Sequence, residues 1–236
     1  MHQLTTPEQQ FARLLATDPA RPFVTYYDEA TGERSELSAK SLANWVAKTH
    51  HLLADELGLG VGDTAVIALP AHWISVPILL GCLTAGLALT TDGPGEVAFV
   101  SAATVDAAAD VPDSFAIAPE SAAVGVRDAA PAPATDYVTA VRPQPDAWAG
   151  VHMPAGPGDP CLPGAARGAV AARAASTGLG VGARVITTRA WTSADDWIDT
   201  VLAPIAVGGS VILVANCPDD AVLERRASQE RATTRR

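Results

Sequence analysis

The chain has 236 residues, 48% of them hydrophobic and 18% charged, with a formal net charge of -10. So much apolar side chain can bury a full core, which excludes an intrinsically disordered chain. The acidic balance excludes a general nucleic-acid binder, which needs a basic face to meet phosphates.

The chain opens with a helix that Thr5 or Thr6 can cap, with Pro7 in the first turn and Phe11, Leu14 and Leu15 as its apolar stripe. Phe23-Val24-Thr25-Tyr26-Tyr27 is strand-like, and Glu29-Ala30-Thr31-Gly32 predicts a hairpin turn towards Arg34–Leu37. Ser38 then caps a long amphipathic helix with Leu42, Trp45, Val46, Leu52 and Leu53 inward, stopped by Gly58. His50 and His51 are expected on its solvated back; an i,i+4 pairing of His51 with Asp55 lacks a third metal ligand.

A glycine-rich pattern then occurs twice along the chain. Gly58-Leu59-Gly60-Val61-Gly62 precedes the strand Thr64–Leu69, and Gly178-Leu179-Gly180-Val181-Gly182 precedes Arg184–Thr188. Each strand leads to a tryptophan (Trp73; Trp191), a helical stretch, a glycine (Gly86; Gly208) and another apolar strand, Leu87–Leu89 or Ser210–Val214. This order predicts βαβ units in a mainly parallel α/β fold flanked by helices, with Val66–Leu69 and Val185–Thr188 as interior strands. The uncharged stretch Trp73–Thr91 approaches the roughly 20 residues of a membrane span. Its Ser, Pro, Gly and Thr residues, and the lack of flanking Lys/Arg clusters, fit a buried helix and strand instead, so no membrane span is expected.

The Ala/Pro-rich middle carries short strand candidates at Val97–Val100 and Phe115–Ala118, loops at Pro131-Ala132-Pro133 and Pro154–Pro163, and a helix over Ala165–Thr177. The organisation is thus one α/β domain over 1–236, with two related halves at about 1–118 and 165–223.

The GLGVG runs are turns rather than dinucleotide loops, because both go from helix to glycines to strand, where carbonyls rather than amides point outward. The three cysteines, Cys82, Cys161 and Cys217, form no CxxC pair, so neither a disulfide framework nor a zinc site is expected. The beginning of the chain lacks a basic region followed by an apolar one, which fits a cytoplasmic protein without a signal peptide. No nucleophile elbow or Walker loop is present, and no catalytic residue, cofactor or metal ligand is assigned.

Pro19–Thr25 with Ser35-Glu36-Leu37-Ser38, the block Leu59–Val66, Ala71–Leu89, and Leu202–Ser210 together resemble the front half of the AMP-binding adenylate-forming superfamily: acyl-CoA synthetases, luciferases and peptide-synthetase adenylation domains. The likeness is nearest to a short actinobacterial group of AMP-binding-like proteins. It implies a phosphate loop, a Ser/Thr/Gly run ending in Gly-x-Pro-Lys, between Asp146 and Ala169. In its place stands Met153-Pro154-Ala155-Gly156-Pro157-Gly158-Asp159-Pro160, without hydroxyl or lysine. The superfamily's Tyr-Gly-x-Thr-Glu motif and lid domain have no counterpart before Arg236.

The resulting expectation is a truncated, degenerate family member that does not adenylate a substrate. It would act as a non-catalytic module binding a protein partner or a small apolar or acyl ligand. The alternatives are an enzyme with a rebuilt site and an accessory subunit of a separate synthetase. The expected cleft comprises His72, Trp73, Trp191, Thr192 and Ser193, at the carboxyl ends of the repeated strands, where open α/β sheets place ligands.

Overall fold

The two copies of the strand–helix–strand order contribute two strands each to two different, mainly parallel sheets. The computed structural model describes residues 5–119 and 134–236; Pro131-Ala132-Pro133 lies outside them. The first sheet contains β1 (Pro22–Asp28), β2 (Glu33–Ser38), β10 (Arg184–Thr187), β11 (Ser210–Ala215) and β12 (Thr234–Arg235), in the order β12-β10-β11-β1-β2. Only the β1–β2 hairpin is antiparallel within it. The second holds β3 (Thr64–Ala68), β4 (Ala88–Thr90), β5 (Val97–Val100), β6 (Asp113–Ala116) and β7 (Thr135–Asp136), all parallel, in the order β4-β3-β5-β6-β7. Both β3 and β10 are interior, as the repeat predicts. The first sheet joins the two ends of the chain, so the sheets do not coincide with halves at 1–118 and 165–223.

The helices that share a core with the sheets are α1 (Pro7–Thr17), α2 (Ala39–His51), α3 (Ser75–Ala85), the short α4 (Tyr137–Val141) and α5 (Arg167–Ala175). A helical run of α6 (Ala194–Trp197), the π turn Ile198–Leu202 and α7 (Ala203–Ala206) joins them. Their apolar side chains meet the inward residues of both sheets, among them Val24, Val211, Leu213, Ile67 and Phe99. Alternate strand residues face outward. Tyr27, Ile186, Ile212 and Val214 pack against Leu223 of α8 (Asp220–Gln229), while Val66, Ala98, Val100 and Ala116 pack against Ala108 and Val111. Burial on both faces explains the unbroken apolar runs of these strands.

The expected caps are present. Thr6 Oγ1 accepts from the Gln9 amide while Gln9 Oε1 accepts from the Thr6 amide, a reciprocal box. Ser38 Oγ accepts from the Ser41 amide at 3.1 Å. All eleven residues of α3 are buried, so the uncharged stretch is a core helix. Among the described residues no helix is long and apolar enough to cross a membrane. Gly81 lets α3 approach α2 closely, because a Cβ there would stand 2.4 Å from Thr49 Cβ.

Two local expectations need correction. His50 and His51 are not on a solvated face but buried, because α2 is covered by α3 as well as by the rest of the core. His51 Nδ1 does meet Asp55 Oδ2 at 2.6 Å. Pro154–Pro163 is not wholly loop: β8 (Pro160–Leu162) pairs with β9 (Ala165–Ala166) around Gly164, whose φ of +71° suits a tight hairpin turn. The helix after it therefore begins at Arg167, two residues later than composition alone suggests.

One buried ion pair holds the middle layer together. Arg167, fully buried at the start of α5, donates to Glu8 Oε1 in the first turn of α1 at 3.1 Å. It also donates to the Leu83 and Leu87 carbonyls, at 2.9 and 2.7 Å, at the end of α3. Burial pushes the Glu8 carboxyl upward against the pull of Arg167.

Candidate functional site

The five expected cleft residues fall into two groups. His72 and Trp73 come after β3, in the second sheet, yet reach the first. Trp73 Nε1 donates to Glu33 Oε1 of β2 at 3.1 Å, and the His72 ring meets Tyr26 of β1 edge-on at 4.2 Å. Trp73 also packs against Trp45 at 6.1 Å, and Trp45 stacks on Tyr137. With 6% exposure for Trp73 and 1% for His72, this pair bridges two sheets. Trp191 lies in the other unit, half-buried against Trp197, and donates to Thr200 Oγ1 at 2.9 Å. Thr192 and Ser193 are exposed beside it. The strands that precede the two groups, β3 and β10, belong to different sheets. Among the described residues, no hydrogen bond, ion pair or ring contact joins the two groups.

Thr192 and Ser193 line a groove of ≈ 360 Å³ whose other walls come from the end of β4, the β8–β9 hairpin and α5. Leu162, Val170, Ala194 and Ile198 give it an apolar floor. Arg173 and Asp195 meet across its rim at 2.7 Å, an exposed pair that contributes little to stability. The amides and hydroxyls of both Thr192 and Ser193 converge on one oxygen, Asp196 Oδ2, at 2.9–3.1 Å. Burial opposes the Asp196 charge, yet these donors hold its carboxyl below the ordinary value. The two hydroxyls are therefore engaged in shaping the loop, with Asp196 as the side chain that sequence reading passes over. Its signal is legible: Ser193-x-x-Asp196 has the spacing of a helix-starting box.

The segment Met153–Pro160 runs along the β3 unit, where Pro154 lies against the Gly86 turn. Asp159 Oδ2 accepts from the Gly156 amide at 2.7 Å. The first two amides of α5 are taken by the same segment: Arg167 N–H donates to the Asp159 carbonyl at 2.9 Å and Gly168 N–H to the Pro157 carbonyl at 2.8 Å. Two of the four amides that a helix N-terminus ordinarily leaves free for an anion are here taken by the chain itself.

His72 makes the pH behaviour of the bridging pair specific. Its Nδ1 accepts from the Ile74 amide at 3.3 Å, while its buried Nε2 stands 3.8 Å from Glu33 Oε1 without a hydrogen-bond partner. Burial lowers its pKa from 6.5 to about 4, against the attraction of Glu33 and Asp28. A histidine depressed in the folded state contributes stability that is full above about pH 6.5 and is lost as pH falls towards about 4. Urea unfolding of the unmodified chain is expected to show that decline, and His72→Gln to flatten it. An unchanged slope in the variant would assign the decline to other groups.

Among the described residues no three His, Cys, Asp or Glu side chains converge as metal ligands. No family model matches the chain. A protein of Mycobacterium tuberculosis described as a TIGR03089 family protein is 42% identical over 231 residues, covering 93% of each chain. Among solved structures, the acetoacetyl-CoA synthetase from Streptomyces lividans superposes with a TM-score of 0.76 at 16% identity, covering 98% of this chain and 42% of that one. A Brucella canis acyl-CoA synthetase gives 0.73 at 17% identity, and a benzoate CoA ligase from Burkholderia xenovorans gives 0.72 at 16%. Each covers 98% of this chain, which spans 47% and 50% of those two. The shared fold is therefore part of these ligases, and this chain spans about half their length or less.

Proposed function

From the premise that the chain belongs to the TIGR03089 family, we propose that it is a non-catalytic relative of the adenylate-forming ligases, acting as a binding module. The observation that carries this reading is the self-closed segment before α5. Where the resemblance puts a phosphate loop, the Asp159 carboxylate occupies an amide and carbonyls occupy the first two amides of the helix. Phosphoryl and adenylyl chemistry depends on donors aimed at developing negative charge, each worth roughly 3–4 kcal/mol. Here those three amides are taken, three prolines remove others, and a carboxylate stands among them. The ligand assigned to the module is a small apolar or acyl group, or an apolar side chain of a protein partner. It would lie on the floor of Leu162, Val170 and Ile198, with Thr192 and Ser193 at the edge and Trp191 next to them in the chain. His72 and Trp73 serve as structure in this reading, because both are buried at the junction of the sheets.

Purified protein with ATP, magnesium and a panel of carboxylic acids is expected to show no acid-dependent pyrophosphate exchange, and ATP is expected to leave the thermal melt unshifted. Exchange that persists through purification to homogeneity would overturn the reading.

A further inference from the structure

A second cavity lies at the opposite, amino-terminal ends of the first sheet's strands. It has a volume of ≈ 220 Å³ and sits between α1 and the Gly208-Gly209 turn that enters β11. That is below the roughly 300 Å³ at which drug-sized ligands begin. Its apolar walls come from Leu14, Phe23, Ala39 and Ile205. Arg21, also in the wall, is committed to structure: its terminal nitrogens hold the Gly182 and Gly208 carbonyls at 3.0 and 3.1 Å.

Three other polar groups of the wall are not committed. Gln10 is 8% exposed; its Nε2 donates to the Ala171 carbonyl at 3.2 Å, which leaves its buried Oε1 an acceptor without a partner. A buried polar atom left in that state is unfavourable unless a donor reaches it. Arg13 stands one turn further along the same face of α1, exposed, with no acidic partner among the described residues. Asp18, also exposed, lines the cavity and likewise has no cationic partner there.

We infer that this cavity binds a small zwitterion with an apolar body. Its carboxylate pairs with Arg13, its ammonium donates to Gln10 Oε1, and its apolar part fills the space between Leu14, Phe23 and Ile205. Arg13 and Gln10 lie three residues apart on the helix, so they meet a carboxylate and an amine carried close together. A hydroxyl would also satisfy Gln10, but the unpaired Asp18 carboxylate favours a cationic nitrogen. The site is separate from the groove beside Trp191 and does not depend on the reading given to that groove.

Leucine is the probe, titrated into the full chain by calorimetry and followed by amide NMR. The expected result is saturable binding with shifts on α1 and Gly208–Gly209 rather than on Trp191–Asp195. Arg13→Gln should weaken it at least tenfold, and Asp18→Asn should weaken it measurably. Both side chains are exposed, so neither variant should unfold the protein; an unchanged melt confirms that. The hydroxy analogue of leucine should bind more weakly than leucine. Absence of saturable binding, shifts confined to the groove, equal affinity in Arg13→Gln, or tighter binding of the hydroxy acid would each overturn the inference.

Discussion

Arg167→Met is expected to cost about 3–5 kcal/mol of folding stability, the loss typical of removing one member of a buried ion pair. The variant leaves Glu8, 1% exposed, without its cation, and removes the guanidinium donors from the Leu83 and Leu87 carbonyls, of which Leu83 keeps the Gly86 amide. The cost is the desolvation of abandoned partners more than the worth of the pair itself. Adding Glu8→Leu should therefore recover part of the loss, since an apolar pair removes the stranded carboxylate. Urea midpoints at constant slope provide the measurement. A loss below about 1 kcal/mol would mean that the middle layer re-forms its contacts around the gap.

The second large effect separates the two tryptophans that look equivalent in sequence. Trp73→Ala should cost roughly 3–5 kcal/mol, as expected for deleting a buried indole, because it empties the junction between Trp45, Glu33 and the second sheet. Trp191→Ala should cost less than about 2 kcal/mol, since the ring is only half-buried and loses chiefly its bond to Thr200. Ligand binding should respond in the opposite sense, strongly to Trp191→Ala and little to a milder Trp73→Phe that still folds. Equal destabilisation by the two alanine variants would contradict the distinction between a structural ring and one proposed to act beside the groove.

That pair of residues also shows where sequence reading ends. Caps, glycine stops and apolar strands are local features, so α1, α2, the β1–β2 hairpin and both interior strands are legible from spacing alone. Whether two similar units share a sheet is decided by pairings across the chain, such as Val24 with Val211, which no local pattern encodes. Both tryptophans come after a strand; only the presence of Glu33 and Trp45 near one of them makes it a bridge. Arg167 escapes a reading by motif although its signal is present. It lies on the stripe of Val170, Ala171 and Ala174, at helical spacings of three, four and seven, and an arginine there must find a buried partner. The segment Met153–Pro160 is legible in composition, but not the closing of its amides, which depends on Asp159 turning back on Gly156.

The joining of both chain ends in the first sheet sets an order of assembly. During synthesis β1 and β2 emerge early and can pair as a hairpin, but the other edge of β1 waits for β11, nearly two hundred residues later. Until then a strand of Phe23, Val24, Tyr26 and Tyr27 presents unpaired backbone, a template for pairing with other chains. The second sheet has no such delay, since its five strands lie between Thr64 and Asp136. Nucleation in the middle of the chain, with the outer segments closing last, is the route this connectivity favours. A nascent chain halted before Ser210 would therefore hold a formed second sheet beside an aggregation-prone hairpin, and it is there that a holding chaperone would be needed.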